Sequence, residues 1–165
     1  MNRPMRIEPA PGQESVWDYP RPPRVESTSR HIEVLFNGRT IADSRRSIRV
    51  LETGHPPTYY IPLADILPDC LVPSRGESQC EWKGRCHYYS VVVDGKKAQS
   101  MAWYYPDPSP PYSDLKDHVA FYAAPMDACY VDGALVTPQP GGYYGGWITP
   151  DIVGPFKGSP GSAGW

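Results

Sequence analysis

The chain has 165 residues, the size of one domain able to bury a core without disulfide staples. Its 16 Lys and Arg against 18 Asp and Glu leave a formal charge of -2 with no basic block or acidic run, so nucleic acid and membrane surfaces have no electrostatic support as partners. The first eleven residues lack the apolar stretch of a secretory signal and no apolar run approaches the roughly 20 residues that span a bilayer, so the expected location is cytoplasmic.

Residues 1–30 are proline-rich, with Pro20, Pro22 and Pro23 imposing extended backbone, and are expected to form an extension to a β-rich core over residues 31–136. Val16, Trp17 and Tyr19 would be wasted apolar surface on a free arm, so docking of the extension is expected. From residue 32 short β-favouring runs begin: residues 32–36 and 39–42 flank Asn37-Gly38, a strong hairpin signal because both turn positions require positive φ. Residues 47–52 and 58–61 read as two more strands, interrupted by His55-Pro56-Pro57. Residues 63–67 suit one helical turn, and residues 70–76 read as a loop. Residues 86–93 and 96–105 flank Asp94-Gly95, the second hairpin signal, with the turn-centred register setting Tyr88 against Met101 and Trp103 near Cys86. Lys83 then emerges near Pro106. The four prolines of residues 106–112 imply a rigid loop, followed by a short helical turn at residues 113–116, strands at 118–122 and 128–131, and a turn at Asp132-Gly133. Residues 137–165 form a Gly/Pro/aromatic tail. Tyr143, Tyr144, Trp147, Ile148, Ile152, Val153, Phe156 and Trp165 supply too much apolar area for a solvated coil, so the tail is expected to pack on the core. Seven to nine short strands with regular turns and no crossover helix predict an all-β fold of antiparallel sheets with one or two short helical turns.

No cofactor motif is present. The cysteines, Cys70, Cys80, Cys86 and Cys129, do not form the paired spacing of a structural zinc site, so no metal is expected and the thiols are read as reduced. No pair of close carboxylates supports nucleotidyl transfer through two metal ions. Gly154-Pro-Phe-Lys-Gly158 lacks the phosphate-cradle spacing, and Pro155 removes a backbone donor. The densest polar-aromatic stretch is Ser78-Gln-Cys80-Glu-Trp82-Lys83-Gly84, leading into the strand of Tyr88. Lys83 held among aromatic rings is expected to have a lowered pKa and to serve as base, electrophile or anion clamp; the competing reading is a solvated lysine at a strand end, with Trp82 in the core. Glu52 and His55 bracket a tight turn and suit proton transfer near neutral pH; the competing reading is a strand-closing Glu and a surface His. Cys80 is either a nucleophile with a neighbouring base or a small buried hydrophobe. Trp103 and Tyr105 share one strand face, as core or as pocket wall.

These stretches also carry a resemblance. Ile41-Ala-Asp-Ser44 with Arg46, the run from Val50 through Glu52-Thr-Gly-His55 to Tyr60, Cys80-x-Trp-Lys-Gly84 with Tyr88, Ala102-Trp-Tyr-Tyr-Pro106 and Val119-Ala-Phe-Tyr122 resemble the bacterial and fungal family called domain of unknown function 427. The Gly-Gly-Tyr-Tyr-Gly-Gly-Trp tail resembles its short single-domain members. The resemblance implies a β-tent, or Mss4-like, fold of two antiparallel sheets, in which relatives hold zinc through paired cysteines, a pattern this sequence departs from.

The function expected from these residues is binding of a small molecule, with acid-base catalysis on a small metabolite as its extension. Lys83, Glu52 and His55 are the candidate catalytic groups. Arg46, Tyr60, Cys80, Trp82, Tyr88 and Trp103 are the candidate ligand-binding groups. The alternative is a non-catalytic protein-interaction module that uses the proline-rich arm and the Gly/Tyr tail. A homodimer is left open.

Overall fold

A computed structural model describes residues 4–165. Three turns of the type read from the sequence set the local hairpins: Asn37-Gly38, Asp94-Gly95 and Asp132-Gly133 all have positive φ at both residues, between 48° and 82°. They join β3 (Ile32–Phe36) to β4 (Arg39–Ser44), β8 (Gly84–Val93) to β9 (Lys96–Tyr104), and β11 (Ala128–Val131) to β12 (Ala134–Leu135). The remaining strands are β1 (Glu14–Ser15), β2 (Arg24–Ser27), β5 (Ile48–Leu51), β6 (Thr58–Pro62), β7 (Leu71–Cys80), β10 (His118–Phe121), β13 (Thr137–Pro138), β14 (Trp147–Ile148) and β15 (Ile152–Val153). Helical structure among the described residues is confined to 3-10 turns at Val16–Asp18, Leu63–Asp65 and Pro110–Leu115. The fold is all-β, as the strand pattern predicts.

A seven-stranded antiparallel sheet has the order β2-β5-β6-β10-β9-β8-β7, and a four-stranded antiparallel sheet the order β12-β11-β3-β4. Alternation along the central strands gives the large sheet two different faces. Tyr59 and Ile61 of β6, Val119 and Phe121 of β10 and Ala102 of β9 turn toward Ile32, Val34, Phe36, Cys129 and Val131 of the small sheet, forming the main core. Tyr60, Ala120 and Trp103, one position along the same strands, face the opposite way and join Ile48, Val50, Cys86, Tyr105, Tyr112 and Leu115 in a second cluster. The second face carries the cavity described below.

Two expectations fail at the edge of the large sheet. Of residues 70–76, expected to be loop, all but Cys70 belong to the ten-residue strand β7. This is an edge strand, mostly exposed, where proline and polar side chains are tolerated and blunt an open edge. The turn-centred register also fails: Val91 pairs Ala98 as expected, but Tyr89 pairs Ala102 and Tyr88 pairs Trp103. The extra residues form a bulge in β9 where Ser100 takes φ 55° and its N–H donates to Ser90 Oγ at 3.0 Å. A shift of two residues keeps every side chain on its own face and brings Trp103 opposite Tyr88 instead of Cys86.

Both chain ends are built into this frame. The Glu14 carboxylate accepts two hydrogen bonds from Arg49 at 2.9 Å and one from the Tyr19 hydroxyl at 2.7 Å, while the Arg49 guanidinium, buried, also donates to Glu26 at 2.7 Å. Val16 is fully buried against Leu51 and Ile152, and β1 pairs with β15 in parallel. In the tail, Trp147 enters the main core and its indole N–H donates to the Phe121 carbonyl at 2.9 Å. Trp165 meets Trp17 edge to face at 5.9 Å. Tyr143 is the exception among the tail aromatics expected to pack, with 77% of its surface exposed.

Replacing Trp147 by Ala removes a fully buried ring and its hydrogen bond, and is expected to destabilise the domain by about 3–5 kcal/mol in chemical denaturation. Leu135→Ala, at an exposed site, serves as the control and should change stability by less than about 0.5 kcal/mol. A loss below about 1 kcal/mol for Trp147→Ala would show that the tail is not part of the cooperative core.

Candidate functional site

The second face of the large sheet supplies the floor of a cavity of about 440 Å³. Tyr60 comes from β6, Cys86 and Tyr88 from β8, Trp103 from β9 and Tyr105 from the residue after it, with Ser78 and Cys80 from β7 at the edge. Glu52 and His55 enter from the turn after β5, and Lys83 from the turn between β7 and β8. Gln139, Tyr144, Gly145 and Lys157 of the tail close the opposite side. The tail approaches so closely that a Cβ on Gly145 would stand 2.1 Å from the Trp103 ring, and one on Gly146 would stand 2.6 Å from both Gln139 Oε1 and the Pro56 carbonyl.

The floor is aromatic and rigid. The Trp103 indole N–H donates to the Tyr60 hydroxyl at 3.2 Å, its ring meets Tyr122 at 4.7 Å between centroids, and Tyr60 stands 6.2 Å from Tyr105. Burial raises the Tyr60 and Tyr105 hydroxyls above the usual tyrosine value, so both stay neutral at physiological pH. Burial raises the Cys86 thiol as well.

Lys83 is 9% exposed, and its Nζ lies 5.7 Å from the centroid of the Tyr105 ring, a contact worth about 0.5–2 kcal/mol. Gly84 follows it with φ 107°, and the Lys83 carbonyl accepts from the Ser109 N–H at 2.9 Å, so the proline loop packs over this turn. Among the described residues no carboxylate stands within ion-pair distance of Nζ. Burial by itself would lower the ammonium, but Tyr60, Cys80 and Glu52 outweigh it and hold its pKa above the ordinary 10.5. The lowered value expected from the sequence is therefore corrected: Lys83 is a buried ammonium held above its ordinary pKa, and Tyr60, Cys80 and Glu52, the groups that raise it, line the same cavity.

His55 behaves differently from the neutral-range acid-base group expected for it. Gln139 fixes the ring: its Oε1 accepts from the Gly146 N–H at 3.0 Å, which leaves its NH2 group to donate to the Lys157 carbonyl at 2.8 Å and to His55 Nδ1 at 3.0 Å. Nδ1 is then the acceptor of a neutral ring, and Nε2–H points toward Glu52, 3.8 Å away. Burial, reinforced by the positive charges of Lys157, Arg21 and Lys83, pushes His55 down to about 4. Glu52 is itself engaged by Arg21 at 3.4 Å. Three cations thus surround one carboxylate and one neutral imidazole.

Seven of the nine residues singled out from the sequence meet at this cavity: Glu52, His55, Tyr60, Cys80, Lys83, Tyr88 and Trp103. Two do not. Arg46 lies in the turn between β4 and β5, where its guanidinium makes paired hydrogen bonds to Asp65 at 3.0 and 2.9 Å and its side chain is 65% exposed. Trp82 packs half-buried against the second cluster without lining the cavity, because adjacent turn positions diverge and Lys83 takes the inward direction. Gln139, Tyr144 and Lys157 were missed, although the Gly-Gly-Tyr-Tyr-Gly-Gly run and the neighbouring Phe156-Lys157-Gly158 marked this part of the tail. The cysteines are split between the two faces of the sheet, Cys70 and Cys129 in the main core and Cys80 and Cys86 on the other face, so they do not gather as the four thiolates of a structural zinc site. Among the described residues the only trio of side chains close enough to share a metal ion is His31, Glu33 and Asp43, which includes no thiol.

The sequence profile of the family described as Domain of unknown function (DUF427) matches residues 24–132. The chain belongs to that family. The match takes in Tyr60 and Trp103 of the floor and Glu52, His55 and Lys83 of the turns, and stops short of Gln139, Tyr144 and Lys157 in the roof. No curated protein matched the chain. The family profile carries a label that refers to nucleotidyl transfer, yet Glu52 is the one carboxylate among the described residues lining the cavity, too few to hold two metal ions beside a phosphate.

The folded-state pKa of His55, about 4, lies below the ordinary 6.5, so on acidification the unfolded chain takes up a proton that the folded chain refuses. The stability linked to His55 is full above pH 6.5 and is lost as pH falls toward 4, by about 3 kcal/mol in all. NMR of the imidazole C–H resonances should show His55 keeping its neutral shifts down to pH 5 and titrating near 4. A midpoint near 6.5 would contradict the buried, cation-ringed environment.

Proposed function

We propose that the domain binds a small molecule in the cavity between the second face of the large sheet and the tail. The observation that carries this reading is Lys83: an ammonium 91% withdrawn from solvent, unengaged by any carboxylate of the described residues at ion-pair distance, and facing an aromatic-walled space of about 440 Å³. A few fixed polar groups in an aromatic concavity of about 300–1,000 Å³ are the usual form of a ligand site. Burying a charge is expensive unless something answers it, and an anionic or strongly polarised ligand group does so here.

Binding is better supported than proton-transfer catalysis. His55 holds its neutral form and Lys83 its charged form across the neutral range, so the two offer a fixed N–H donor and a fixed charge, not a proton that comes and goes. A reaction in this cavity would draw on stabilisation of developing negative charge by Lys83. The interaction-module reading is weaker because its two elements are largely consumed internally: Val16 and Tyr19 of the arm are buried, as is Trp147 of the tail.

A thermal-shift screen of a metabolite library against the parent and Lys83→Met tests the reading. A ligand at about 100 times its Kd adds about 2.7 kcal/mol to native stability, so a binder raises the midpoint of the parent. The same compound should leave Lys83→Met unmoved, while the two unliganded proteins melt within a few degrees of each other. Ligands that stabilise both proteins equally, or a library without any stabiliser, would remove the support for Lys83 as the binding group.

A further inference from the structure

Beside the charged chamber lies a second cavity of about 230 Å³, lined by Met101, Ala123, Ala124 and Pro125 on the side away from Lys83. The two cavities share Tyr88, Tyr122, Gln139, Gly142, Tyr144 and Gly145 as a common wall. One chamber is charged and polar, and the other is walled chiefly by apolar side chains.

We propose, resting on the ligand-pocket reading above, that the ligand is an amphipathic anion: a carboxylate-bearing molecule whose head meets Lys83 and the N–H of His55 while its apolar portion passes Tyr88 and Tyr122 into the Met101 chamber.

The sign of the head follows from charge. Arg21, Lys83 and Lys157 all raise the positive potential at His55, whereas Glu52 is the one lining carboxylate and is held by Arg21. The surplus is positive, in a space where buried aromatic walls weaken screening. Lys157 adds to it from the roof, its Nζ 5.7 Å from the centroid of the Tyr144 ring. His55 completes the head site with a donor: with Nδ1 taken by Gln139, the remaining ring nitrogen carries the hydrogen, so the neutral imidazole can donate to an oxyanion but cannot accept from an alcohol or amide through Nδ1. A cationic head would find no carboxylate beyond Glu52 among the described lining residues, and that one is already held by Arg21.

The apolar portion follows from the second chamber. Met101 is an adaptable, polarisable lining residue, and Ala123, Ala124 and Pro125 offer no charge. Tyr122 separates the chambers with its ring against Trp103 at 4.7 Å and its hydroxyl donating to the Tyr143 carbonyl at 3.1 Å. A ring or short chain passing this wall keeps contact with aromatic faces along its length. The β9 bulge at Ser100 lies at this chamber, so the register shift that sets Trp103 opposite Tyr88 also shapes the space beside Met101.

Isothermal calorimetry of the full chain with acetate, phenylbutyrate, phenylbutyramide and phenylbutylamine separates the two requirements. Phenylbutyrate is expected to bind about tenfold or more tightly than each of the others, because acetate lacks the apolar portion and the amide and amine lack the negative head. Lys83→Met should weaken phenylbutyrate about tenfold, and Ala124→Trp, at an exposed position on the rim of the apolar chamber, should weaken phenylbutyrate without changing acetate. The ladder on the parent protein decides the matter even if a variant fails to fold. Binding of the amine or amide as tightly as phenylbutyrate overturns the anionic head; acetate binding as tightly overturns the apolar portion; and failure of every compound to bind overturns the amphipathic anion altogether. A neutral or cationic compound found in the metabolite screen, dependent on Lys83, would leave the ligand pocket standing while this assignment falls.

Discussion

The side-chain amide of Gln139, buried at 3% exposure, joins three segments that are remote in sequence: the Gly146 N–H, His55 Nδ1 and the Lys157 carbonyl. A half-satisfied buried amide would cost about 1–3 kcal/mol, so its three bonds act as one constraint on the tail at Gly146 and Lys157 and on the β5–β6 turn. That constraint fixes the tautomer of His55, seats Gly145 against Trp103, and places Lys157 near enough to His55 for its charge to be felt. The roof of the cavity is therefore held by polar geometry as well as by apolar packing.

Below that roof, the alternation of β6, β9 and β10 divides side chains between two jobs. Tyr59, Ala102 and Phe121 fill the core between the sheets, and Tyr60 and Trp103 on the reverse of the same strands become the cavity floor. The floor inherits the rigidity of a fully packed sheet, the condition under which a few fixed groups orient a ligand without ordering themselves first. Glycines in the tail serve the same end, since a side chain at Gly145 or Gly146 would collide with the floor or with Pro56.

Much of this was legible in the sequence, for identifiable reasons. The Asn37-Gly38 and Asp94-Gly95 hairpins declare themselves because few other residues accept their backbone angles. Period-two alternation put Trp103 and Tyr105 on one face, and the cluster around Lys83 brought the cavity into view. What failed was non-local or electrostatic. β7 was hidden because an edge strand obeys solvent instead of a core. The β9 bulge rests on Ser90 and Ser100, which carry no turn signature. Gln139 and Lys157 reach His55 only through the folded path of the tail, and Arg46 has its partner, Asp65, in a turn 19 residues away. The direction of the Lys83 pKa depended on Tyr60, Cys80 and Glu52, whose nearness to the ammonium is a property of the fold.

A charged ammonium is kept inside an aromatic-floored space whose one carboxylate among the described residues, Glu52, is held by Arg21. Its charge is the quantity to measure. Side-chain NMR of Lys83, following the Cε and Nζ resonances through an alkaline titration, reads it directly. The ammonium should remain protonated throughout the neutral and mildly alkaline range and titrate above 10.5. Titration well below 10.5, yielding a neutral amine near pH 8, would contradict the fixed cation on which the reading of the cavity rests.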